Sequence, residues 1–530
     1  MILFTLATLV ILAVPFVTAL SYTSHFFNSV EVQLNYQYIG GGGHSPQGSI
    51  LAIGGRYYES NSYYAGWVVA GDVSSDSPSY KLLKFVKSEL VSTPPDNIYV
   101  TKVTAEDDGT LFIGGYAEYG SDTKYFIAKL TGTPGSGYTI STIKYYSGIT
   151  KVMDLELVNH PYYGNVLLVA TVDSNGNYPL IFLVDPTDLS VKTTGITGNT
   201  QIYNQNGVSE LAASMDSNGN IIVVSTSTNS QGVIALFKWN SASNSYSQAY
   251  VIKYLNGLFL YDVAVNEEDD IPYAYIAAAK KYDSYTDWGT GSDFDPVLIR
   301  VDLSKLGTGS SAFDWVVIID DDNYDDYAYA VAIYKSGSGS SGDRILLYGS
   351  LAISNNEYPL IGVFTPQGEV DSVAVVPAPS SSDTSRPRGA YYTGSVYNGY
   401  AFAMGTTGYS SSSSYINIGL LLYSNQIADQ LTWNKGAPSD WSSVTVLKDL
   451  SGKATITKRT DINPSTNGPY TPSTASVSAS DLTGIALQSS DPTVYSAEDS
   501  NAPAPVPEPW YLAATVILIV LGVVFVYLRK

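Results

Sequence analysis

Between residues 30 and 433 the chain alternates polar turns with short apolar runs, always in the same order. A polar or glycine turn leads into a run that ends in small residues, a polar loop follows, and a second apolar run comes after it. The first runs are SILAIGG, TLFIGG, NVLLVAT, NIIVVST, AYIAAA, ILLYGS and YAFAMGT, whose apolar starts fall near residues 51, 111, 166, 221, 275, 345 and 400. Their partners are GWVVAGD, YFIAKL, PLIFLVD, GVIALFKW, PVLIRVD, PLIGVFT and YINIGLLLY. Alternating segments flank them: VTKVTA, VMDLELV, SELAAS and LYDVAVN in front, YKLLKF, YTISTI and YSQAYVI behind. The pattern predicts four strands in each of seven units.

Strands with near-continuous apolar runs are covered on both faces. A four-stranded sheet reaches that state by packing between two like sheets, and a ring of such sheets is a propeller. The expected fold is all-β, a seven-bladed β-propeller over residues 20–433. Small residues ending the strands (Gly54, Gly55, Gly114, Gly115, Ala170, Gly349 and Gly405) let neighbouring backbones approach closely. Val30–Tyr38 supplies either the inner strand of the first unit or the strand that closes the ring on the last. The stretches VTAEDDGTLFIGGYAEYGSDTKYFIAKL and AASMDSNGNIIVVSTSTNSQGVIALFKW resemble the bacterial and archaeal β-propeller repeat family called SBBP repeats. That resemblance implies an extracellular binding or scaffolding module with no shared catalytic residues.

The two ends predict an address. Residues 2–20 are apolar and end in Val17-Thr18-Ala19, which predicts a signal peptide over 1–19 with cleavage after Ala19; an uncleaved N-terminal anchor is the rival. Trp510–Leu528 is 19 uncharged residues long, about 28 Å as a helix and enough for a bilayer core. Aromatic residues mark both of its ends, and Arg529 and Lys530 form a short basic cytoplasmic tail. The expectation is a single-pass membrane protein whose large N-terminal part lies outside the cell. Val506-Pro507-Glu508-Pro509 before the helix resembles the PEP-CTERM class of sorting signals, with a plain retained anchor as the alternative. Residues 434–509 read as a hairpin (444–459) followed by a Ser/Thr/Pro-rich flexible stalk.

Composition narrows the chemistry. The chain has 530 residues, no Cys and three His (His25, His44 and His160) far apart, which leaves no thiol nucleophile and disfavours a zinc site or a Ser-His-Asp triad. A net charge of −21 argues against nucleic acid as a partner. Absent Cys, four Met and 44 Tyr fit a thermophilic archaeal source. The segments Asp173–Asn177 and Asp216–Asn220 read as tight Asn-Gly turns rather than calcium loops.

Two acidic stretches fall on one face of the expected propeller. One holds Asp283, Asp287, Asp293 and Asp295 with Trp288 beside them; the other holds Asp320, Asp321, Asp322, Asp325 and Asp326. Clustered carboxylate oxygens suit Ca²⁺, the candidate cofactor, and Trp288 is a candidate contact for a sugar ring or partner chain. No pair stands out among the 48 acidic residues, so no catalytic residue is assigned. The sequence therefore predicts a non-enzymatic, surface-anchored protein for binding, adhesion or envelope scaffolding, with an extracellular protein or glycan as partner. Its alternative is a membrane-anchored extracellular glycan hydrolase using paired carboxylates.

Overall fold

The computed structural model describes residues 23–499 apart from several loops, the longest being 282–292, 376–389 and 434–443. The expected signal peptide, sorting signal and terminal helix lie outside the described residues. Within the described residues no helix is long and apolar enough to cross a membrane.

The chain is all-β. Seven antiparallel sheets succeed one another along it, each a meander of consecutive strands. Their first strands are Asn35–His44, Asn97–Ala105, Ile149–His160, Val208–Met215, Leu258–Glu268, Tyr327–Tyr334 and Ala390–Tyr397. The apolar runs occupy the second and third strands. In the third unit Val166, Leu168 and Ala170 enter the core shared with the fourth unit, while Leu167 and Val169 enter the core shared with the second. This two-sided burial is why the run lacks polar alternation. Asp173–Asn177 and Asp216–Asn220 are turns: Asp173 Oδ1 accepts from Asn177 N and Asp216 Oδ1 from Asn220 N, both at 2.8 Å.

Hydrogen bonds join each unit to the next all the way round. Tyr64 N donates to Asn97 Oδ1, Thr101 Oγ1 to the Val152 carbonyl, and Ala213 N to Asp154 Oδ2. Leu260 N donates to Thr226 Oγ1, Val331 N to Asp262 Oδ2, and Tyr348 Oη to the Ser395 carbonyl. Ser395 Oγ then donates to the Gly48 carbonyl and returns to the first unit. The first strands line the centre of this closed ring. Asn35–His44 is the inner strand of the first unit, and Thr23–Phe27 closes the ring by pairing with Ile416–Tyr423 of the last.

Each inner strand carries a β-bulge, a single extra residue opposite its neighbour. In six units the register shifts fall between Ile39 and Gly41, Val100 and Lys102, Val152 and Asp154, Leu260 and Asp262, Ala328 and Ala330, and Tyr391 and Thr393. The fourth unit shifts between Val208 and Glu210. Bulges bend a strand and re-aim its side chains. Gly115, Gly349 and Gly405 sit opposite the residue before a bulge, where a Cβ would lie 1.9–2.1 Å from a carbonyl oxygen of the inner strand. Gly54 and Gly114 instead face valine side chains of the next unit.

The stretch expected to be a flexible stalk is a belt. Thr455–Arg459 adds a strand to the fifth sheet, Thr466–Tyr470 to the fourth, Ser473–Ala475 to the third, Ser478–Asp481 to the second and Ile485–Ser490 to the first. Val494–Asp499 then pairs with Thr23–Phe27 on the seventh. The belt runs backward round the rim and pairs with strand edges that would otherwise be open. Its few apolar residues are shared out among the grooves between sheets: Ile456, Ile462, Tyr470, Val477, Leu482 and Ala486 each pack on a different core cluster. Ile462 and Leu482 are buried. A segment poor in apolar residues is ordered because those it has plug the successive grooves and its backbone finds partners along existing edges.

Candidate active site in the central channel

Directly after the bulge, three inner strands place a charged residue toward the channel: Lys102 in the second unit, Asp154 in the third and Asp262 in the fifth. Glu156 follows Asp154 by two residues, so both project from the same face of one strand. All four line a cavity of about 660 Å³ at the heart of the ring.

Lys102 Nζ lies 2.9 Å from Asp154 Oδ1. Asp154 is fully engaged, since Oδ1 also accepts from Leu155 N and Oδ2 accepts from Ala213 N. Burial opposes the charge on Lys102, yet Asp154, Asp262 and Glu156 hold its pKa above the ordinary lysine value. Asp262 is pushed up to about 6 by burial and by Asp154, against the pull of Lys102 and of the Val331 and Val263 amides. Glu156 is raised well above the usual carboxylate range by burial and then by Asp154. Ser214 Oγ donates to its Oε1 at 3.2 Å, while Oε2 is shielded from solvent without a hydrogen-bond partner.

The site thus holds one carboxyl raised well above the usual carboxylate range and one that ionises near 6, with a lysine paired to a third. Two titratable carboxyls with separated pKa values are the requirement for paired acid and base catalysis. A second cavity of about 650 Å³ continues the channel; Gly42, Lys102 and Tyr392 line both halves. Glu210 stands there, raised to about 7 by burial against the pull of Lys151.

The acidic residues singled out from the sequence lie elsewhere. Asp283, Asp287, Trp288, Asp321 and Asp322 fall outside the described residues. The others do meet, because Asp326 N donates to the Phe294 carbonyl at 2.7 Å and Phe294 N donates to Asp325 Oδ1 at 3.3 Å. Asp295 is buried in an ion pair with Lys280 at 2.6 Å, and Asp293 and Asp320 both raise its pKa. Asp326 Oδ1 accepts from Ala352 N. Among the described residues no group of three or more His, Asp or Glu is arranged to hold a metal ion.

No protein-family model matches the chain, and no curated protein matches it. Among solved structures it is similar to an exo-β-1,3-galactanase from Clostridium thermocellum, at 11% identity and a TM-score of 0.33, covering 77% of this chain and 95% of that one. It is also similar to a GH43 β-1,3-galactosidase, at 9% identity and a TM-score of 0.24, covering 78% of this chain and 94% of that one. Likenesses this slight carry no correspondence of residues.

The expectation of a non-enzymatic binding or scaffold protein is corrected here. Both similar structures are glycan-cleaving enzymes by name, and the channel of this chain contains the carboxylate set that the sequence did not single out. Lys102, Asp154, Glu156 and Asp262 were hidden because each sits on an alternating strand whose polar face reads as solvent-facing until the ring closes around it. A charge at the corresponding inner-strand position of the second, third and fifth units was the available signal.

Proposed function

We propose that the protein is a seven-bladed β-propeller that hydrolyses glycosidic bonds in its central channel, displayed outside the cell between a cleaved leader and a C-terminal membrane helix. Glu156 is the general acid: its proton passes to the glycosidic oxygen as the bond to the anomeric carbon breaks. Asp262 is the partner carboxylate, taking a proton from the attacking water or bonding the anomeric carbon itself. Asp154 is a positioning residue, since its oxygens are already engaged by Lys102 and two amides. Lys102 pairs with Asp154, and Asp154 in turn raises the pKa of Glu156. The observation that carries this reading is Glu156 itself, a carboxyl that lines the cavity beside Asp154 and Asp262 and whose pKa burial raises.

The test is hydrolysis by the full-length protein in detergent against aryl glycosides and neutral polysaccharides, β-1,3-galactans included. Glu156→Gln should lower kcat/KM by about 10²–10⁴-fold. Turnover by the variant at the wild-type rate, or no hydrolysis of any substrate by the wild type, would overturn the proposal.

A further inference from the structure

The half of the channel that the chemistry does not use is walled by tyrosine. In the fifth, sixth and seventh units the bulge residue is Tyr261, Tyr329 and Tyr392, so the irregularity that aims Asp262 also turns an aromatic ring into the channel. These rings form a continuous row. Tyr261 lies 5.2 Å from Tyr329, and Tyr329 stacks on Tyr392 at 4.9 Å. Across the cavity Tyr99 and Tyr116 stack at 4.3 Å.

Two aromatic walls facing one cavity suit flat, weakly polar rings, because the C–H faces of a sugar pack on an aromatic ring while its hydroxyls seek polar groups at the edge. Glu210 supplies such a group, with no hydrogen bond or ion pair to a described residue. At about 650 Å³ the cavity lies within the ~300–1,000 Å³ of small-molecule sites. Of the cations that line this half, Arg56 lies over Tyr64 and Tyr99, Lys102 is paired with Asp154 and Lys151 acts on Glu210, so none is left to hold a polyanionic chain against a net charge of −21, which favours an uncharged one.

We propose that the tyrosine-walled half of the channel is a subsite for several residues of a neutral glycan chain, which enters there and presents one linkage to Glu156 and Asp262 beyond Lys102. This rests on the hydrolase reading but is tested by binding. Full-length Glu156→Gln protein would be titrated calorimetrically with neutral β-1,3-galacto-, β-1,3-gluco- and β-1,4-gluco-oligosaccharides of one to six residues. Affinity for one series should rise with length, and adding Tyr329→Ala or Tyr261→Ala should weaken hexasaccharide binding by about tenfold or more, while Tyr329→Phe stays within about threefold of the parent.

Length-independent affinity, no binding of any series, or alanine variants that bind the hexasaccharide as the parent does would overturn the subsite. Tyrosine-dependent binding without turnover in the wild type would sink the hydrolase proposal and leave the subsite standing. Turnover without tyrosine dependence would do the reverse.

Discussion

The inner and outer edges of the seven sheets are built on opposite principles. At the rim, the belt of residues 455–499 pairs with open strand edges of six sheets and sets apolar side chains into the grooves between them. At the centre, bulges interrupt the pairing and Lys102, Asp154, Glu156 and Asp262 share a cavity with their charges in conflict. The rim supplies stability, and the centre holds groups whose pKa values are displaced from their solution values. The difference teaches that the strain of the site is tolerated because the ring is closed twice, by Thr23–Phe27 and by the belt.

The sharpest way to break this comparison is to unfasten the rim. Ile462→Asp puts an unpaired charge into the groove between the fourth and fifth units, and it should cost about 4–5 kcal/mol, read as a fall in the denaturation midpoint. A variant as stable as the parent would mean the belt is ornamental. Next comes the counter-charge at the centre. Lys102→Met leaves Asp154 and Asp262 facing each other unpaired and should cost about 3 kcal/mol at pH 7. That loss should shrink at pH 4, where Asp262 is protonated; a penalty independent of pH would place the role of Lys102 in packing.

The smallest effect is a gain. Glu210 has its folded-state pKa raised from 4.5 to about 7, so the folded protein binds this proton more tightly than the unfolded chain does. Its contribution is fully favourable below pH 4.5 and is lost as pH rises through 7. Glu210→Gln should therefore match the wild type at pH 4 and exceed it at pH 8 by on the order of 1 kcal/mol, measured by urea denaturation at both values. Equal stability at pH 8 would show that Glu210 is not held in a desolvated place.

How far the chain announced this arrangement follows from the same contrast. The second and third strands were legible because their residues alternate between two cores, as Val166 to Ala170 do, and so read as unbroken apolar runs. The belt was illegible because its apolar residues, from Ile456 to Ala486, are spaced by the grooves they fill rather than by the period of a strand. VMDLELV was recognised as a strand, yet its acidic residues looked like a wet face; only ring closure turns that face inward. The acidic loop of the fifth unit drew attention by density of charge, whereas Asp295 there is balanced by Lys280.

The central claim is that Glu156 holds its proton to higher pH than Asp262, whose own leaves near 6. Infrared difference spectra of wild type minus Glu156→Gln, recorded across pH, test this most directly. The account predicts a protonated-carboxyl band that is present at pH 7 and fades only at higher pH. A band that disappears below pH 5, as for an ordinary glutamate, would contradict it.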